Sequence, residues 1–377
     1  MNITNTSTYE LGELLSYEQP TPYIVESTDY NDVYKTPVLT AGKSFILGYT
    51  NDKNNIYNKL PVIIFDDFTT SSRYVNFPFK VKSSAMKILT PNTELVIPKY
   101  IFYRMQIIEF DHSTHKRYWI QQYSKIKISI PPITEQQRIV NRIEELFSQL
   151  DSAVETLNKT TQQLAVYRQA VLKEAFSNIK DTATIREVST LVTSGSRGWA
   201  KYYSNQGAKF IRIGNLTRDS IDIVFDDVQY VELPDKAEGL RSKLQPNDVL
   251  VSITADLGSI GLVPQNIGEA YINQHIAVVR FKNTDQGKFM AWYLKSDYGQ
   301  KDLLKNKRGA GKLGLGLDDI RDSKVPVISN DEAESIVNII EARISVCDSI
   351  EKTVDTALQQ AEAMRQSILK KAFEGKL

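Results

Sequence analysis

Ile139–Phe176 reads IVNRIEELFSQLDSAVETLNKTTQQLAVYRQAVLKEAF, and 197 residues later Ile336–Phe373 reads IVNIIEARISVCDSIEKTVDTALQQAEAMRQSILKKAF. The two align without a gap. Seventeen of 38 positions are identical, among them Asp151/Asp348, Arg168/Arg365, Gln169/Gln366, Leu172/Leu369 and Phe176/Phe373. Each copy closes a longer block of different composition, so the chain reads block, helix, block, helix. A chain built twice over is suited to a two-fold target or to two identical partners.

Both copies predict long helices. Gly and Pro are absent from Ile133 to Thr184 and from Val327 to Glu374, in a chain that holds 18 Gly and 13 Pro. Pro131 and Pro132 precede Thr134, with Gln137 three residues on; Pro326 precedes Ser329, with Glu332 three residues on. Both are capping-box spacings, in which a hydroxyl and the N3 side chain satisfy orphan backbone donors. Gly375 is placed to end the second helix as a C-cap. Positions Ile139, Ile143, Leu146, Leu150, Ala153, Leu157, Thr160, Leu164, Tyr167 and Val171 step by four and three, a heptad seam. The matching positions of the second copy are Ile336, Ile340, Arg343, Cys347, Ile350, Val354, Ala357, Ala361, Met364 and Ile368, with Ile344 beside the interrupting Arg343. Roughly 43 residues at ~1.5 Å rise make a rod of about 65 Å. One such rod reads as a coiled-coil stalk. Two related rods, each tied to its own block, predict an antiparallel pair within the chain.

The chain has 377 residues, 41% of them apolar, enough for two or three domains with real cores. Its single cysteine, Cys347, excludes a disulfide framework and a cysteine metal cluster. His112 and His115 are too few for a zinc site and read as a solvated loop pair. No signal peptide and no apolar run near ~18 residues occurs, which predicts a soluble, cytoplasmic protein with no membrane partner. Net charge is +1, but it divides unevenly. Residues 1–130 carry 14 Lys+Arg against 12 Asp+Glu and residues 184–325 carry 20 against 17, whereas residues 326–377 carry 6 against 9. Mildly basic blocks on mildly acidic rods fit DNA-facing blocks and protein-facing rods, without strong sequence-blind binding.

The blocks hold short apolar runs bounded by turn residues, such as Pro61–Phe65, Ser44–Gly48, Lys209–Gly214, Asp248–Ser252 and Ile276–Arg280. These predict strands, with helices near Lys99–Glu109 and Gly287–Lys295. The fold class is therefore α+β: two strand-rich domains separated by two long antiparallel helices, with internal pseudo-two-fold symmetry. Domain boundaries are expected at 1–130, 131–180, 181–325 and 326–377. Four loops draw on Ser/Thr hydroxyls, Gly-rich flexible backbone or Lys/Arg, and hydroxyls and basic groups are what reach guanine edges and phosphates. They offer Thr70, Ser71, Arg73, Lys82 and Ser83 in the first block. In the second they offer Ser196, Arg197, Trp199, Lys201, Lys307, Arg308 and Lys312. The bland alternative is ordinary solvated loops. Gly309-Ala310-Gly311-Lys312 is no phosphate loop, because Asn306 stands where Gly is needed and Leu313 where Ser/Thr is needed. The pairs Asp66-Asp67, Asp226-Asp227 and Asp318-Asp319 read as turn residues and not as a two-metal nuclease. No catalytic constellation is found, and no cofactor or metal is expected.

Four segments carry a family resemblance. Ile130-Pro131-Pro132-Ile133-Thr134-Glu135-Gln136-Gln137-Arg138-Ile139-Val140 resembles the opening of a conserved helix in the specificity subunits of type I restriction–modification systems. Ala165–Phe176 and Arg365–Leu377 are similar to its close, and Asn247–Ser252 followed by Gly258–Gly261 resembles part of a target-recognition domain. The second helix start departs from the pattern, since Pro326–Glu332 lacks the second Pro and the Glu-Gln pair. The resemblance implies a non-catalytic chain that binds double-stranded DNA, each target-recognition domain reading half of a bipartite, asymmetric site. It implies helices that fix the spacer and dock two modification (methyltransferase) subunits, with restriction subunits joining that core. Two other readings fit the same sequence: the specificity chain of a related system whose methyltransferase and nuclease are fused, and a coiled-coil scaffold with two small ligand-binding domains.

Overall fold

A computed structural model describes residues 6–40, 44–112, 117–233, 241–305, 307 and 314–377. The chain divides into two compact units, Met1–Asn158 with Asp355–Leu377, and Lys159–Val354.

The first unit begins with β1 (Ser7–Glu10), α1 (Leu11–Leu14), β2 (Leu15–Glu18), β3 (Thr36–Leu39) and β4 (Ile46–Thr50). It continues through β5 (Val62–Asp66), β6 (Ser72–Val75), β7 (Lys80–Val81), β8 (Met86–Pro91), α2 (Pro98–Met105), β9 (Lys127–Ile130) and the long α3 (Ile133–Phe176). Strands β2-β8-β5-β6 form one sheet, β4-β3-β7 a second, and β1 pairs with β9. Alternation along β5 sorts its side chains to two faces. Ile63 and Phe65 join a core with α2 and the long helices, while Val62 and Ile64 pack with Leu39, Phe79 and Val81 of the second sheet. The unit is thus a helix layer, a four-stranded sheet and a smaller sheet.

The second unit repeats this order. It holds β10 (Thr182–Thr184), α4 (Ile185–Val188), β11 (Ser189–Ser194), β12 (Tyr203–Ser204), β13 (Ala208–Ile211) and β14 (Gln229–Val231). Then come β15 (Val249–Ser252), β16 (Ile260–Leu262), β17 (Ala270–Ile272), β18 (Ile276–Phe281), α5 (Gly287–Lys295), α6 (Asp297–Leu303), α7 (Leu317–Arg321) and β19 (Lys324–Pro326). The long α8 (Asn330–Phe373) closes the chain. The central sheet is β11-β18-β15-β16, the smaller sheet is β12-β14-β13-β17, and β10 pairs with β19. Val249, Val251, Ala277 and Val279 face α5 and the long helices, while Leu250, Ile276 and Val278 face Ile211 and Ile272. The strand order of the main sheet matches the first unit position for position, β2 with β11, β8 with β18, β5 with β15 and β6 with β16.

Each 44-residue helix gives one half to each unit. Within the first unit Arg365 pairs with Asp151, and Leu369 and Ala372 share a core with Ile139 and Ile143. Within the second, Arg168 reaches Asp348 and Glu351, each at 2.7 Å, and Arg343 reaches Glu174 at 2.6 Å. In both units one helix rises in number as the other falls, so the halves pack antiparallel. The Arg168–Asp348 pair is the repeat mate of Arg365–Asp151, which explains why these four residues are identical between the copies. Leu172 and Leu369, 1% and 2% exposed, are another such pair, each stabilising its unit by roughly 1.5–3 kcal/mol through burial.

The seam differs from the sequence expectation at alternate positions. Tyr167 and Met364 are 45% and 52% exposed, and Ile350 is 39% exposed. The residues one step on, Arg168, Arg365 and Glu351, turn toward the partner helix instead. Arginine stems cover apolar surface while their guanidiniums stay paired with carboxylates, so a charged residue holds a seam position. Arg365 also lies over the Phe147 ring, 4.8 Å from its centroid. Ile344 replaces Arg343 in the seam, 7% exposed.

At the helix starts, Thr134 lies inside α3, which begins at Ile133, and so is not its N-cap. Pro132 O accepts from Glu135 and Gln136 N instead. The fully buried Gln136 donates to Leu95 O and Pro131 O and accepts from Ile97 N, tying the helix to the block. Ser329 does cap α8, accepting from Glu332 N at 3.3 Å. Gly375 (φ 70°) ends it in the left-handed conformation.

Candidate nucleic-acid interface

Sheet register decides which loops meet. In the first unit Glu18 pairs Ile88 and Asp66 pairs Met86, so the ends of β2 and β5 and the start of β8 lie at one edge. In the second, Ser194 pairs Ala277 and Ser252 pairs Ile276, which brings together the ends of β11 and β15 and the start of β18. These are equivalent edges, opposite the ends of β8 and β18 from which the chain runs on to α2 and α5.

In the first unit this edge carries the β5–β6 turn and the residues before β8. Asp66 Oδ1 accepts from Phe68 and Thr69 N at 2.8 and 3.2 Å, curling the turn, and Thr70 takes φ 56°. His112 Nε2 sits 2.9 Å from Thr70 Oγ1 and 3.0 Å from Thr69 O. Exposed Phe68 has the Arg117 guanidinium 5.9 Å from its ring centre. Asp67 N reaches Ala85 O at 3.4 Å, so the turn and the Lys82–Ala85 loop adjoin. Asp67 itself is buried, accepting from Trp119 N at 2.8 Å and facing the buried Lys87 ammonium at 3.4 Å. Thr70, Ser71, Lys82 and Ser83 are therefore gathered at one edge, with Lys82 exposed and near Tyr30. Arg73 is parted from them. It lines a cavity of about 630 Å³ with Phe102, Glu144 and Asp151 on the helix side.

In the second unit Ser196 and Arg197 follow β11 directly. Gly195 is required there, because a Cβ would lie 2.0 Å from Ile272 O. The β15–β16 loop is braced from within. Asp256 accepts from Arg218 Nε at 2.9 Å, and Ser259 N donates to Ser252 Oγ at 2.8 Å. The Arg218 guanidinium, with the Ser259 hydroxyl, holds the Asp256 carboxyl below its usual range. A cavity of about 480 Å³ opens at this edge, lined by Ser194, Gly195, Ser196, Arg197, Arg241, Thr254, Gln274 and His275. Among the described residues its lining holds no carboxylate.

Trp199 does not belong to this surface. It is 5% exposed and stacks on Phe210 at 4.8 Å and 20°, with Tyr271 at 5.3 Å, in the core of the smaller sheet. A ring covered on both sides is unavailable to a base, so its expected contact role is corrected to a packing role. Lys201 is exposed over Tyr202 and lines a separate hollow with Tyr203, Asn205 and Gln229. Lys307 is exposed beyond α6, while Arg308 and Lys312 lie outside the described residues. Sequence reasoning passed over Phe68, His112 and Arg117 in the first unit and Arg241, Thr254, Gln274 and His275 in the second. The adjacent polar pair Gln274-His275 immediately before a strand was the available signal. Among the described residues no cluster of His, Cys, Asp and Glu could hold a metal ion. No described helix is long and apolar enough to cross a membrane.

The model of the family described as type I restriction modification DNA specificity domain matches residues 4–164 and 174–360. The Escherichia coli type I restriction enzyme EcoR124I/EcoR124II specificity subunit is 31% identical over 360 residues, 90% of this chain and 87% of the relative. The Salmonella potsdam StySPI specificity subunit is 27% identical over 317 residues, covering 77% and 66%. A chain from a structural study of complex assembly and conformational transition of the type I R-M system superposes with TM-score 0.72 at 15% identity, over 99% of both chains. The HsdS subunit of Thermoanaerobacter tengcongensis gives 0.50 at 15% identity, over 99% and 98%. At such identities the structural likeness speaks for the fold.

Proposed function

Because the chain belongs to the type I restriction–modification DNA specificity family, we propose that each unit reads one half of a split, asymmetric duplex sequence through its loop edge. The long helices set the unread spacer and dock two modification subunits, which supply the methyl donor and carry out transfer. Restriction subunits join that core. The chain's own part is recognition without chemistry. The observation that carries this reading is the pair of equivalent sheet edges, each presenting hydroxyls and cations that no carboxylate engages among the described residues. Phosphates are met by Lys82, Arg117, Arg197 and Arg241, which position the duplex, and base edges by the shorter polar side chains. Different loop residues on equivalent edges account for an asymmetric site read by a pseudo-symmetric chain.

Two-fold repetition in the helices supports a stoichiometry of two modification subunits per chain, because each antiparallel half offers related positions. Exposed Val166 and Tyr167 on α3 and Met364 on α8 lie one residue beside or at repeat-equivalent positions and suit partner contact. Native mass spectrometry of the chain reconstituted with its modification subunit tests this. The expected mass holds one chain and two modification subunits; a saturated complex with one would refute the symmetric docking.

A further inference from the structure

We infer that Gln274 reads an adenine edge in the major groove for the second unit, and that His275 and Thr254 are positioning residues for it. This rests on the DNA-recognition reading above and assigns it a residue and a base. Gln274 stands at the loop edge, in the cavity beside Ser196, Arg197 and Arg241. Its Nε2 is 2.7 Å from His275 Nε2, and His275 Nδ1 is 2.7 Å from Thr254 Oγ1. An amide nitrogen can only donate, so the ring Nε2 accepts, and Nδ1 carries the ring proton toward Thr254. The ring is itself held by its backbone, since His275 N donates to Asn273 Oδ1 at 3.0 Å and His275 O accepts from Ile253 N at 2.9 Å.

This bond uses one Gln274 N–H and fixes which way the amide faces. What remains is a carbonyl oxygen beside a second N–H. An acceptor next to a donor matches adenine, which presents N6–H₂ and N7 in the major groove; guanine presents two acceptors there and leaves the amide oxygen unmatched. Around this reader the cavity is built for nucleic acid. Among the described residues no carboxylate engages Arg197 or Arg241, and Ser196 Oγ is buried without a partner. Two guanidiniums flanking one short reader is the division of labour expected of phosphate positioning and base readout.

The test is selection of bound sequences from a randomised duplex library by the chain assembled with its modification subunits. Gln274→Ala, Gln274→Glu, His275→Leu and His275→Gln are compared with the unaltered chain. Gln274→Ala is expected to lower preference at a single A·T pair of one half-site by on the order of 5- to 150-fold, the other half-site and spacer unchanged. Gln274→Glu, which can accept but not donate, shifts that position toward cytosine. His275→Leu loosens the same pair, and His275→Gln, whose amide oxygen accepts the same N–H, retains it. An unchanged motif with Gln274→Ala overturns the assignment. So does loss of preference at many positions at once, which a purely structural role would give. An unaltered assembly that selects no split motif would instead sink the recognition reading itself.

Discussion

The buried pair under the first reading turn sets up a sharp prediction. Lys87 and Asp67 have side chains 1% and 3% exposed, with N···O 3.4 Å. Replacing Lys87 with Met keeps the stem volume and removes the ammonium. It leaves a carboxylate out of water that, among the described residues, keeps the backbone donor Trp119 N. Stranding one buried partner costs about 3–5 kcal/mol, whereas an exposed pair would cost under ~1. That is a change of roughly 150- to 5,000-fold in the opening equilibrium. The combined Asp67→Asn and Lys87→Met variant removes both charges and is expected to recover most of the loss, because a neutral pair carries no orphaned charge. Hydrogen exchange of the amides in Val62–Asp66 and Met86–Pro91 reads the effect locally, with Val249–Ser252 and Ile276–Phe281 as the unaffected reference. A loss below ~1 kcal/mol for Lys87→Met, or a double variant no better than the single, would refute the buried-pair argument.

Three further outcomes follow from the same geometry. Arg168→Met removes two carboxylate contacts, but Asp348 and Glu351 are 60% and 41% exposed and stay solvated, so the cost is about 1–2 kcal/mol and shrinks in high salt. Denaturation of the variant at two ionic strengths checks it, and a salt-independent difference contradicts it. The Asp256 carboxyl is depressed in the folded state, so its stabilisation of the β15–β16 loop is full above the unfolded value near ~4 and is lost as pH falls through the lower folded value. Exchange protection of Ser252–Ser259 amides, corrected for intrinsic rate, should be flat from about pH 8 to about 5, and a decline across that window would count against it. Inserting four residues into both long helices adds about 6 Å. At ~3.4 Å per base pair, the spacer is expected to lengthen by one or two pairs with both half-sites unchanged; an unchanged spacer contradicts the ruler.

Much of the fold was legible because it rests on local periodicity. The long helices, the strands at Val62–Asp66 and Ile276–Phe281, and the Gly287–Lys295 helix follow from apolar spacing and from the absence of helix breakers, and the antiparallel pairing from two related rods each tied to its own block. Apolar spacing puts the seam one residue off at Tyr167 and Met364, because it assigns the inward face to apolar residues. Arg168 and Arg365 occupy it through paired charges that no hydropathy pattern displays. The matched strand order of the two sheets was also hidden, since topology depends on which strands pair, and the two blocks share little residue identity to reveal it. At the candidate site, hydroxyl and basic composition pointed to Thr70, Ser71, Lys82, Ser83, Ser196 and Arg197, which lie at the two loop edges. It could not separate Trp199, whose ring is spent on Phe210, from an exposed stacking residue. The meaning of Gln274 and His275 is hidden in the sequence because it lies in the hydrogen bond of His275 to Thr254, 21 residues away.

The central claim, one chain dictating a two-part DNA sequence, is tested most directly by base-resolution mapping of adenine methylation. The comparison is between cells carrying this chain with its modification subunit and cells lacking only this chain. The account predicts a single split motif, two unlike half-sites across a fixed spacer, that vanishes with the chain. A motif that persists without it, or methylation with no split motif in its presence, would contradict the account.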